Sequence, residues 1–104
     1  NMDKNSLTRD VVRALRQVYD PEIPVNIYEL GLIYDINIDD DHKVSIKMTL
    51  TAPNCPMSDY LLEEVNNAVR DVPGVTDVAL ELTFDPPWDK SRMSDVALLE
   101  LGLL

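Results

Sequence analysis

The stretch Leu32-Ile33-Tyr34-Asp35-Ile36-Asn37-Ile38, followed by Asp39-Asp40-Asp41-His42 and then by Lys43-Val44-Ser45-Ile46-Lys47-Met48-Thr49-Leu50-Thr51, decides the fold. Its apolar residues recur with period two. Leu32, Tyr34, Ile36 and Ile38 fall on one face, and Ile33, Asp35, Asn37 and Asp39 on the other. After the turn at Asp40-Asp41-His42, Val44, Ile46, Met48 and Leu50 repeat the pattern, with Ser45, Lys47, Thr49 and Thr51 opposite. Side chains of a strand alternate between faces, so this is a hairpin with one greasy and one polar face.

Outward from the hairpin the period changes to helical. Ser6 can cap a first helix in which Leu7, Val11, Val12, Leu15, Val18 and Tyr19 recur on one side, with Arg9, Arg13 and Arg16 on the wet side. Pro21 disfavours helical geometry in the residue before it, which puts the helix end at Tyr19-Asp20. Pro21 and Pro24 stiffen the segment 20–27 into an extended loop, and Gly31 closes a short turn begun at Asn26. Beyond the hairpin, Pro56 suits the first position of a second helix, whose stripe is Leu61, Leu62, Val65, Ala68 and Val69. Pro73-Gly74 ends it. Val78, Leu80, Leu82 and Phe84 alternate as a third strand.

The order is therefore α-β-β-α-β, with a short last helix over Ser94–Leu101 stopped by Gly102. A strand-helix-strand crossover makes the third strand parallel to the second. The expected fold is a two-layer α/β sandwich, a mixed three-stranded sheet covered on one face by two helices. Asn1, ahead of Met2, reads as an added residue, and 2–104 as one domain.

Charge narrows the partners. Nine Lys and Arg against nineteen Asp and Glu give a formal −10. Such a surface repels phosphate backbones and anionic lipid, so neither nucleic acid nor a membrane surface is expected as a partner. The same acidity fits simple solubility, or carboxylates that serve a hard cation or a basic partner. One cysteine forms no internal disulfide, and there is no long apolar run, so a cytoplasmic location is expected.

That cysteine, Cys55, sits in Thr49-Leu50-Thr51-Ala52-Pro53-Asn54-Cys55-Pro56, where a strand should pass through a tight loop into a helix. A thiol at the positive end of a helix ionises more readily, and the thiolate is the form that attacks electrophiles and binds metals. A buried structural cysteine fits the same spacing. His42 lies at the far end of the hairpin, about seven residues or roughly 20 Å away, so it cannot serve Cys55 as a base. Gly31, Gly74 and Gly102 are isolated and form no phosphate loop. A thiol hydrolase or nucleotide-dependent enzyme acting alone is not expected.

Topology brings more to the end of the hairpin where Cys55 lies. The loop before Leu32 carries Asp20, Glu22, Asn26 and Glu29. A third strand parallel to the second also ends there, delivering Asp85, Trp88 and Asp89. Each segment has a plainer role available: the acids can cap turns, and Trp88 can pin the chain that follows. Leu98, Leu99, Leu101, Leu103 and Leu104 make that last segment oily. Docking on the domain's own sheet, a dimer contact or a partner contact would each explain it.

Three motifs carry a family resemblance. Asp20-Pro21-Glu22-Ile23-Pro24-Val25-Asn26-Ile27 with Leu30-Gly31-Leu32-Ile33-Tyr34 resembles the first signature of the small metal–sulfur cluster biosynthetic proteins, the SufT-like and PaaD-like domains. Thr49-Leu50-Thr51 with Cys55-Pro56 resembles the second. Asp85-Pro86-Pro87-Trp88, Met93-Ser94 and Leu99-Glu100-Leu101-Gly102-Leu103 resemble the third.

The resemblance implies an accessory, non-enzymatic role in maturing iron–sulfur proteins, by cluster assembly, transfer or client targeting. The family's reactive cysteine falls on Cys55, and its acidic loop on Asp20 and Glu22, which become the implied ligands of iron or of a transient cluster shared between chains. Iron–sulfur apoproteins or cluster-assembly proteins become the expected partners, with a homodimer as a way to offer two thiolates. Apart from the resemblance, the rigid corner Asp85, Pro86, Pro87 and Trp88 and the oily Leu103 and Leu104 are the expected partner contacts. Two rival readings stay open. One is a client-recruiting module that binds no metal. The other is an accessory subunit of an aromatic-degradation oxygenase, which the PaaD likeness allows.

Overall fold

A computed structural model describes residues 3–53 and 56–104 of the chain. The order of elements is α1 (Lys4–Leu15), β1 (Ile33–Ile38), β2 (Lys43–Met48), α2 (Ser58–Arg70), β3 (Asp77–Leu82), a 3-10 turn (Lys90–Arg92) and α3 (Asp95–Glu100). The sheet runs β1-β2-β3, with β1 antiparallel and β3 parallel to the central β2. This is the expected mixed sheet with its helical layer. The core gathers Leu7, Val11 and Leu15 of α1, Val44, Ile46 and Met48 of β2, and Leu61, Val65 and Val69 of α2. Each set follows the period of its own element, which is why the helical and strand stripes meet on one face.

Several boundaries differ from the sequence-based expectation. Asp3, not Ser6, caps α1: its carboxylate accepts the Ser6 amide at 2.6 Å, so the helix begins earlier. The helix also stops at Leu15 rather than at Tyr19-Asp20. Residues 18–20 pair instead with the proline loop, Ile27 N–H donating to the Val18 carbonyl at 2.9 Å and Asp20 N–H to Val25 at 3.1 Å. Tyr19 is left exposed. Pro56 precedes α2 without opening it, since the helix starts at Ser58 behind Met57.

The hairpin holds one irregularity. Ile33 pairs with Met48 and Asp35 with Lys47, so Tyr34 is an extra residue in β1. A bulge of this kind reverses the alternation locally. Ile33 therefore packs against the core from the position assigned to the wet face, while Tyr34 leaves the core face. On β3, Val78 and Leu80 pack inward, but Leu82 and, two residues past the strand's end, Phe84 remain exposed.

Candidate functional site

The proline loop, the end of β2 and the chain after β3 meet as topology requires. Thr49 N–H donates to the Leu32 carbonyl, and Thr83 N–H to Met48, each at 2.9 Å. These bonds carry both strand pairings past their ends. The segment beyond β3 then folds back as a strap. The Trp88 indole N–H donates to the Leu30 carbonyl at 2.7 Å, the Tyr34 hydroxyl to the Pro86 carbonyl at 2.9 Å, and the Ser94 amide to the Glu29 carbonyl at 2.9 Å. The Arg92 guanidinium lies 4.7 Å from the centre of the Tyr34 ring, within cation–π reach. Gly31 admits the strap, with φ at +84° and the Arg92 backbone close against its Cα.

The acidic loop is held from within. One Asp20 carboxylate oxygen accepts the amides of Glu22 at 2.9 Å and Ile23 at 2.8 Å, and the residue is only 8% exposed. This closes the turn that Pro21 begins. Glu22 faces solvent. The Asn26 side chain accepts the Glu29 amide at 2.9 Å. Glu29 itself is buried, with its carboxylate 2.9 Å from the Arg16 guanidinium, which also stacks 4.9 Å over Tyr28.

Glu29's carboxyl is held below its ordinary value. The Ser94 hydroxyl contributes most and Arg16 adds to it, both against the opposing pull of burial. A carboxylate with a depressed folded pKa stabilises the fold above its unfolded pKa and loses that contribution as pH falls through the folded value. Glu29→Gln is therefore expected to lower the melting temperature at neutral pH, with a cost of about 1–3 kcal/mol for a charged hydrogen-bond set. The gap should close in acid, below the ordinary glutamate pKa. Parallel melting-temperature profiles at every pH would contradict this.

Of the residues expected as partner contacts, Trp88 and Pro86 spend their polar groups inside the protein, on Leu30 and Tyr34. Asp85 and Pro87 are exposed, as are Leu103 and Leu104. Asp89 has a carboxyl lowered by hydrogen bonds from the Ser91 hydroxyl and amide, with Arg92 nearby. Cys55 and Asn54 lie outside the described residues. Among the described residues, no three His, Asp or Glu side chains come together as a metal site.

The strap and the open face of the sheet enclose a groove of about 960 Å³, lined by Gly31, Ile33, Tyr34, Asp35, Lys47, Asp85, Pro86, Ser91 and Arg92. Two carboxylates, Asp35 and Asp85, and two cations, Lys47 and Arg92, line this open groove. At the end of β2, Thr49 Oγ1 is buried with no hydrogen-bond partner among the described residues. Sequence reading singled out neither Arg16 nor Arg92 for a role here, because both act through partners distant in sequence. Gly31 did carry a signal, as an isolated glycine closing a turn.

Residues 8–81 match the model of a family described as iron–sulfur cluster assembly proteins. The chain belongs to this family. The match runs from the first turns of α1 to β3, and likeness to full-length relatives extends further. A protein of Porphyromonas gingivalis named Fe-S protein maturation auxiliary factor is 56% identical over 95 residues, covering 91% of this chain and 90% of its own. The Bacillus subtilis Fe-S protein maturation auxiliary factor YitW is 39% identical over 100 residues, covering 96% of this chain and 98% of its own. A crystal structure of a domain of unknown function from Bacillus anthracis superposes with a TM-score of 0.88 at 34% identity, over 96% of this chain and 95% of that one. The family so reached is the one the three sequence motifs resemble. Among the described residues, no helix is long and apolar enough to cross a membrane.

Proposed function

We propose that this chain is an accessory factor in iron–sulfur protein maturation, in which Cys55 meets iron or a cluster in transit. The observation that carries this is the near end-to-end likeness to proteins named for that role. The cluster is cargo rather than a resident group. One cysteine and one histidine supply too few soft ligands for a closed site, which takes about four. The remaining ligands come from outside the chain: a second copy's thiolate, a small thiol, or the thiolates of the donor or the client.

The protein's own part is then to present one sulfur and to hold its rim still. Two described features support that part. The Asp20 clamp and the Glu29–Arg16–Ser94 cluster fix the acidic loop on one side. Continued pairing of Thr49 with Leu32 fixes the strand that leads toward Cys55. Asp20, one of whose carboxylate oxygens closes its own loop, and the exposed Glu22 are the acidic groups offered to the cargo. The partners are iron–sulfur apoproteins or assembly proteins, the factor is not itself an enzyme, and its place is the reducing cytoplasm, where a lone thiol stays reduced.

Cys55→Ser tests the proposal. The variant should melt at the wild-type temperature yet fail to restore iron–sulfur enzyme activity in cells lacking the protein. Full restoration would remove Cys55 from the mechanism. Anaerobic reconstitution with iron and sulfide gives a second readout, since wild type should take up iron in a thiol-dependent way and the serine variant should not.

A further inference from the structure

We propose that the outer face of α3 is a docking surface for a protein segment that is apolar on one side and edged by lysine or arginine. Helix α3 divides cleanly. Ala97 is buried, and Leu98 and Leu101 pack against the core. Val96 and Leu99 lie on the opposite side, 51% and 64% exposed, and Leu103 follows them at 61%. These are large aliphatic side chains that the protein's own sheet does not cover.

This face is held in shape before anything binds. Ser94 caps α3 by accepting the Ala97 amide at 3.1 Å, and its own amide is tied to Glu29. At the other end Gly102, with φ at +74°, lets its N–H reach the Leu99 carbonyl at 3.1 Å, while Leu103 N–H reaches Leu98 at 2.8 Å. This paired closure is a Schellman motif, which fixes Leu103 against the helix end. Leucines on a backbone already held in place cost less ordering on binding than leucines on a loose segment.

Charge selects the occupant. Asp95 and Glu100 flank Val96 and Leu99 on the helix surface, and no Lys or Arg occurs from Met93 to Leu104. The whole chain carries −10, so a second copy would bring like charge to the same face. An apolar segment with a basic edge satisfies both the leucines and the acids.

The test uses the full chain and two synthetic amphipathic helical peptides, each with a leucine face, one flanked by lysines and one by glutamates. Fluorescence anisotropy should show the lysine peptide binding at least about tenfold tighter. Leu99→Ser should weaken that binding about tenfold or more, and Asp95→Lys with Glu100→Lys should reverse the preference. Asp59→Lys with Glu63→Lys, on α2, should leave it unchanged. Equal affinity for both peptides, binding that survives Leu99→Ser, or a dimer seen by light scattering that Leu99→Ser dissolves would each overturn the proposal. Cys55→Ser should bind the lysine peptide as wild type does, so failure of the cysteine's proposed role and failure of this surface are separately visible.

Discussion

Gly31→Val is expected to lift the strap from the sheet while leaving the hairpin and helices folded. A Cβ at this position would stand 2.3 Å from the Arg92 carbonyl oxygen, a backbone atom that cannot rotate away. The positive φ adds about 1–3 kcal/mol of strain for a branched residue. The two costs cannot be relieved together, because flipping the loop to negative φ would pull Leu30 and Leu32 from their partners. The strap is the weaker party and should yield. Trp88 is the sole tryptophan and donates to Leu30, so its emission reports the event directly. A red shift with unchanged far-ultraviolet dichroism, together with a lower melting temperature, is the expected outcome. Emission and melting temperature equal to wild type would show that the approach of Arg92 to Gly31 does not hold the strap.

Ile46→Ala should be the most damaging single truncation in the sheet. Ile46 sits at the middle of the central strand, pairs with Ile36 and Leu80 on its two sides, and is 1% exposed. Removing its side chain leaves a cavity between the sheet and the helices, with a cost of about 2–5 kcal/mol. For a domain this size, that corresponds to a fall of about 10–30 °C in melting temperature. A denaturant titration should show a lower midpoint with an unchanged slope. Leu99→Ala is the matched control, since an exposed site should move stability by no more than about 0.5 kcal/mol. If the two substitutions proved equally mild, the core would not lie where the burial pattern puts it.

The readable and unreadable parts of this protein divide on physical lines. The hairpin was visible because a half-buried strand must alternate, and the parallel third strand because a crossover through a helix leaves it little choice. Helix α3 was visible from Ser94 and Gly102, which are chemical punctuation. Helix α1 ends before the limit Pro21 sets, because Pro21 supplies only a local rule while the ladder between residues 18–20 and the proline loop takes the chain away sooner. The bulge at Tyr34 was hidden for a related reason. Period-two reading assumes an even register, and here the extra residue answers to Pro86 and Arg92, more than fifty positions away.

The rim shows the same division in its chemistry. Sequence places Asp20, Glu22 and Glu29 in one proline-stiffened loop, and the family resemblance makes Asp20 and Glu22 the implied ligands. In three dimensions one oxygen of Asp20 accepts the amides of its own turn, and Glu29 is held by Arg16 and Ser94 from two other elements. Trp88 was legible as a large residue at a rigid corner, but its choice of Leu30 as acceptor depends on where the strap lands.

By itself, then, the sequence determined the elements, their order, the family and the lone sulfur, because periodicity, punctuation and motif are local and survive without a fold. Only the tertiary structure decided which acids brace the loop, that a strap rests on Gly31, and that Val96, Leu99 and Leu103 stay uncovered. Those outcomes turn on contacts between distant residues, where packing in space, not adjacency in the chain, selects the partner.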